Sequence, residues 1–247
     1  MFTPESIILI GLTFILAGFV KGVIGLGLPT VSLALLTTGF GLIPAMGLMI
    51  IPSLITNLWQ AIKGGGLLKI ASRFWPMMIA VVAGIWIGGN VLATSNARFL
   101  TGLLGLLLCV YSIIGITRYK ISTTAKAELL LSPLVGGISG ILTGLTGTFV
   151  VPGVIYLTSM GLDRNILIQT MGMLFSVSTI TLAIVLGQNN LYSMDLGVYS
   201  LVGTAPALIG MAIGQKVRKN LSEEFFTKVF FLSLLILGAY ISGRVFI

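Results

Sequence analysis

The charged residues of this chain punctuate long apolar runs instead of alternating with them. No charge occurs from Gly22 to Ile62, Phe74 to Ala97, Phe99 to Thr117, Leu129 to Leu162, Asn165 to Met194 or Leu196 to Gln215. About 20 apolar residues in a helix cross a hydrocarbon core roughly 30 Å thick, and each run meets that length. A helix that is apolar on every side has no face for water and belongs in lipid or in a buried core. The pattern predicts single spans at residues 44–62, 74–92, 99–117, 166–186, 196–215 and 225–243 and an all-α polytopic membrane fold.

Two stretches resist that description. Residues 5–41 would form a helix about 55 Å long, more than one crossing needs, and Gly22, Gly25, Gly27 and Pro29 interrupt it. Residues 129–161 repeat the problem, with Gly140, Gly144, Gly147 and Pro152 as the interruptions. Each is either one kinked pass or a hairpin that returns the chain to the side it came from. The two stretches also belong to a duplication: Gly84 and Gly88 match Gly210 and Gly214, Phe99 and Thr101 match Phe225 and Thr227, and Gly18 and Gly22 match Gly136 and Gly140. The expected organisation is therefore an N-terminal repeat over 1–118, a charged linker at 119–128, and a C-terminal repeat over 129–247. Each repeat holds one broken-helix hairpin, re-entrant or spanning, and three transmembrane helices.

Basic residues decide between kinked pass and hairpin, because cytoplasmic loops hold the Lys/Arg excess. With single passes, the loops carrying Lys63, Lys69 and Arg73 and Arg118, Lys120 and Lys126 fall opposite the loop carrying Lys216, Arg218, Lys219 and Lys228. With hairpins, all ten of these residues and Arg164 are cytoplasmic, while only Arg98 and Arg244 face outward. The hairpin reading gives repeats of opposite orientation and places both termini outside. No small-x-small cleavage site follows an early basic segment, so the N-terminal apolar run is expected to remain as the first membrane helix.

Composition narrows the chemistry. The mean hydropathy of +1.12 suits a lipid-embedded chain. The net charge of +8 comes from short loops and not from a basic surface, which argues against a nucleic-acid partner. Histidine is absent, Cys109 is the only cysteine, and the six acids all fall at predicted ends or loops. Imidazole chemistry and a thiolate metal site are thereby excluded, the position of the acids argues against a buried carboxylate relay, little remains for an enzyme, and no cofactor is called for.

The candidate binding residues lie at the interruptions. Gly22, Gly25 and Gly27 before Pro29, and Gly140, Gly144 and Gly147 before Pro152, read as loops feeding helix N-termini. Two such ends meeting near mid-membrane would offer unpaired N–H groups and a partial positive charge to an anion. The same glycines also suit close helix packing, as Gly84, Gly88, Gly210 and Gly214 do. Thr143, Thr146 and Thr148 bring hydroxyls to the second tip. Lys21 lies within apolar sequence with no acid near it, so it either snorkels to an interface or pairs with a translocated anion. Ser53, Thr56, Asn57 and Gln60 share one helix face, with Ser176 and Thr179 beside Gln169 as a weaker counterpart; such stripes serve a solute or helix-to-helix bonding.

The segments GFVKGVIGLGLP at 18–29 and GGISGILTGLTG at 136–147, with the late GxxxG pairs, resemble the sulfite exporter TauE/SafE family of membrane transporters over essentially the whole chain. That resemblance implies a bacterial-type inner-membrane permease for a small anion, often sulfur-containing, with the two tips as its binding elements. Family members commonly close each tip with a glycine run, whereas Leu28–Pro29 and Thr148–Phe149 stand there in this chain. The sequence-based expectation is a secondary transporter working by alternating access, with an anion-selective channel or a small-carboxylate permease as alternatives and homo-oligomerisation left open.

Overall fold

The computed structural model describes residues 3–117, 125–218 and 220–245. Arg118, Lys120 and Lys219, together with the side chain of Lys126, lie outside the described residues, as does most of the expected linker. The described residues form ten helices and no strand: α1 Pro4–Ile24, α2 Leu28–Phe40, α3 Leu42–Lys63, α4 Leu67–Thr94, α5 Ala97–Thr117, α6 Ala125–Thr146, α7 Gly153–Ser159, α8 Arg164–Gln188, α9 Met194–Val217 and α10 Glu223–Gly243. All but α2 and α7 are long and apolar enough to cross a bilayer, which makes eight candidate spans.

Both long stretches break where backbone conformation demands glycine. Gly25 and Gly27 take φ of +87° and +106°, and Gly147 takes +74°, values that side-chain-bearing residues rarely adopt. Gly18, Gly22, Gly140 and Gly144 have no such angle and stay helical. The limbs are therefore unequal: α1 and α6 keep full spanning length, while α2 has 13 residues and α7 only seven. A helix too short to cross must be enclosed by protein, because lipid cannot satisfy the backbone groups at its ends. Residues Leu28 to Ala34 of α2 are accordingly all buried.

The helices pair across the middle of the sequence. α1 lies along α9, α4 along α6, α3 against α8 and α5 against α10. Glycine sets the first two contacts. A Cβ at Gly18 would overlap the Ala207 carbonyl oxygen and one at Gly22 that of Met211, while on α4 Gly84 and Gly88 face the carbonyls of Gly137 and Ile141. Lipid tails are as apolar as leucine, so helices associate through such close backbone approach and not through apolar burial.

These contacts also fix helix direction. Gly47 lies beside Leu196, and the Ile51 N–H donates to Ser200 Oγ at 3.0 Å, so α3 runs parallel to α9 and hence to α1. Gly89 lies beside Val185 and Asn189 bonds Asn90, so α8 runs with α4 and α6. Since α1 is parallel to α3, and α6 to α8, α2 and α7 each return the chain between them. One end of the bundle consequently collects Lys63, Lys69, Arg73, Arg164, Lys216, Arg218 and Lys228, and the other holds Arg98 and Arg244. We refer to the first as the basic end.

Candidate functional site

Lys21, in the last turn of α1, is only 2% exposed. Its Nζ donates to Thr56 Oγ1 at 3.1 Å and to Asn57 Oδ1, both on α3 and both fully buried. These partners are uncharged. An ammonium withdrawn from water without a counter-charge costs several kcal/mol, and neutral hydrogen bonds offset only part of that. Asn57 Nδ2 and Ser53 Oγ, the latter one turn earlier on α3, are buried without a protein partner. The site thus combines a buried basic group that has no acidic partner with unused hydrogen-bonding capacity.

A cavity of about 450 Å³ reaches this lysine from the basic end. Its floor includes Lys21, Gly22, Gly25 and Gln60, and Lys63 and Arg218 stand at its mouth. Lys63 and Gly64 end α3 and Arg218 follows α9, so the opening coincides with helix ends. Asn165, Gln169 and Gln215 supply amides to its walls, and among the described residues no acid lines it. Three cations, four side-chain amides and no acid suit an anion small enough for that volume.

Side-chain amides also hold the cavity's shape. Gln60 Nε2 donates to the Gly25 carbonyl at 2.6 Å, which pins the first tip to α3. Gln169 Nε2 donates to the Ala61 carbonyl at 2.7 Å, and its Oε1 accepts from the Gly66 N–H at 3.2 Å. This ties α8 to the turn after α3. A Cβ at Gly64 would collide with the Gln169 carboxamide and displace it from this position.

Of the residues expected from the sequence, Lys21, Gly22, Gly25, Asn57 and Gln60 come together here. Gly27 does not, since the space beside it belongs to Val20 and Phe230. The second group lies elsewhere. A Cβ at Gly147 would meet Met46, Leu33 and Met49, and Thr143 Oγ1 donates to the carbonyls of Ser139 and Thr148 at 2.7 and 2.9 Å. Thr146 Oγ1 donates to the Leu142 carbonyl, while Thr148 Oγ1 is buried without a partner. Gly140 and Gly144 face the backbone of α4. Ser176 and Thr179 each bond the carbonyl four residues back, those of Gly172 and Phe175.

The expectation that the two tips meet needs correction. The first touches α3 at Gln60 and the second at Met46 and Met49, about three turns apart along that helix. The reason is geometric: α1 and α6 are full-length and run in opposite directions, so their C-terminal breaks fall toward opposite ends of the bundle. Sequence reading passed over Lys63, Asn165, Gln215 and Arg218 as cavity residues. It treated loop charges as topological, and only the position of helix ends turns them inward.

Asn57 offers a direct measure of the buried charge. Asn57→Leu is expected to lower stability by roughly 3 kcal/mol, because it strips a partner from a buried ammonium. Adding Lys21→Met to that variant should restore most of the loss. Thermal unfolding of both variants in detergent checks this, and a neutral Asn57→Leu would contradict it.

The fold and site define a class: a polytopic membrane protein whose described residues form eight helices long and apolar enough to span and two short ones, with a solute-sized polar cavity leading to a buried lysine. Over residues 10–241 the chain matches the family described as sulfite exporter TauE/SafE, and it belongs to that family. Membership implies membrane transport of sulfite-like anions. No curated protein and no solved structure matched the chain in the corresponding comparisons.

Proposed function

We propose that this chain carries a small sulfur oxyanion or organosulfonate across the cytoplasmic membrane by alternating access, with Lys21 as the charge that holds the anion. The observation that carries the reading is the buried ammonium with only neutral partners at the floor of a cavity free of acids. An anion there would complete its coordination and offset the desolvation already incurred. Asn57 and Ser53 would direct hydrogen bonds to its oxygens. Lys63 and Arg218 would raise the local anion concentration at the mouth.

In this reading the basic end is cytoplasmic, both chain ends are outside, and the cavity faces inward. Two inverted repeats, 1–118 and 129–247, provide the means of switching. The contact of α1 with α9 and that of α6 with α4 exchange into one another when the repeats are swapped, as do the roles of α3 and α8. A fold whose halves can exchange conformations can open toward either side.

Purified protein in liposomes should take up labelled sulfite saturably, and unlabelled sulfite on the opposite side should accelerate that flux. A unitary conductance in planar bilayers would make the protein a channel. Preferential transport of a small carboxylate would overturn the sulfur-anion assignment.

A further inference from the structure

A second cavity, of about 410 Å³, opens at the basic end between α5, α7, α8 and α10. Its depth is apolar, formed by Leu26, Tyr111, Val154, Leu167, Met171 and Phe231. Arg164, Thr158, Ser159 and Thr227 supply the polar groups. Arg164 begins α8, Ser159 ends α7 and Thr227 lies in the first turns of α10, so these groups gather at the mouth while the apolar residues lie deeper along the helices. Water would find few partners against this lining, since it needs two to four polar contacts to be held.

We propose that this crevice is a binding site for an anionic phospholipid of the leaflet at the basic end, with an acyl chain in the apolar depth and the phosphate at Arg164. Hydrocarbon fills such a chamber without loss of hydrogen bonds, and an arginine at the mouth matches an anionic headgroup. A guanidinium has five N–H donors, so a phosphate can be accepted beside a protein partner.

The site has a route to the polar cavity. Ile24 and Leu26 line the lipid crevice, and Gly25 between them lines the polar cavity. Ile168 belongs to both walls, and a Cβ at Gly25 would meet its Cδ1 at 3.0 Å. An acyl chain in the crevice therefore braces the first tip from behind, on the side away from Lys21.

The test uses the full chain in nanodiscs of phosphatidylcholine alone and with phosphatidylglycerol, read by thermal unfolding and by retained lipid in native mass spectrometry. Phosphatidylglycerol should stabilise the wild type. Arg164→Gln should bind it about fivefold more weakly. Leu167→Trp, which fills the chamber, should lose the retained lipid while staying folded. Lys228→Gln, an exposed cation at the same end outside the crevice, should behave as wild type. Equal losses from Arg164→Gln and Lys228→Gln would mean diffuse attraction and overturn the proposal. So would unchanged lipid retention in Leu167→Trp, or equal protection of detergent-solubilised protein by inorganic phosphate alone.

Discussion

Replacing Lys21 by methionine is expected to abolish sulfite-dependent stabilisation and to reduce uptake by at least about tenfold, while leaving the ligand-free protein as stable as the parent or more so. A hydrogen bond to a charged group contributes about 1.5–3 kcal/mol, which corresponds to a change of roughly 10- to 150-fold in binding. The two effects have opposite signs because the lysine is costly to fold and favourable to binding. Its ammonium is buried beside Thr56 and Asn57 with no counter-charge, and methionine of similar length needs none. A purely structural lysine would show the reverse pattern, with stability lost and uptake per folded molecule retained. Thermal unfolding with and without sulfite, alongside uptake normalised to folded protein, separates the two.

Gly210→Ala is expected to be among the most damaging single-methyl changes in the chain, lowering stability by several kcal/mol and yielding aggregated protein on size exclusion. The added Cβ would overlap the Ile15 carbonyl oxygen, and neither backbone can yield without parting α1 from α9. Overpacking in a filled interior costs about 1–3 kcal/mol where side chains can move, and here only backbone is available. Gly11→Ala is the internal control, since nothing lies within 4 Å of a Cβ at that site on the same α1 helix. Glycine is about 1 kcal/mol poorer than alanine in a helix, so this change should be neutral or mildly stabilising. Equal behaviour of the two variants would show that the α1–α9 contact is looser than described.

The same contact explains why the glycine-rich tips were ambiguous in the sequence. Gly22 and Gly25 lie three residues apart and look alike in a motif, yet Gly22 admits α9 whereas Gly25 turns the chain. Close approach and positive φ both select glycine, and a sequence does not distinguish them. Gly140 and Gly147 repeat that division at the second tip.

The polar stripe on α3 was legible for a different reason. Ser53, Thr56, Asn57 and Gln60 share a face by helical periodicity alone, and lipid repels such a face, so the stripe had to turn inward. Which partner it would find was not legible. Lys21 lies 35 residues before Thr56, and only the return of the chain through α2 brings them within 3.1 Å.

The sequence by itself determined what depends on length, periodicity and composition: six uninterrupted apolar spans, two interrupted stretches, basic residues collected at one end, and a lysine with no acid nearby. Those follow from how a chain partitions between water and lipid, which each segment does largely alone. Tertiary structure decided what depends on which helices touch. It separated the two tips along α3, assigned Gly18, Gly22, Gly140 and Gly144 to packing contacts, and brought Lys63 and Arg218 to the mouth of the cavity above Lys21. Helix association in lipid rests on backbone fit between segments distant in the chain, and no local pattern encodes the identity of the partner.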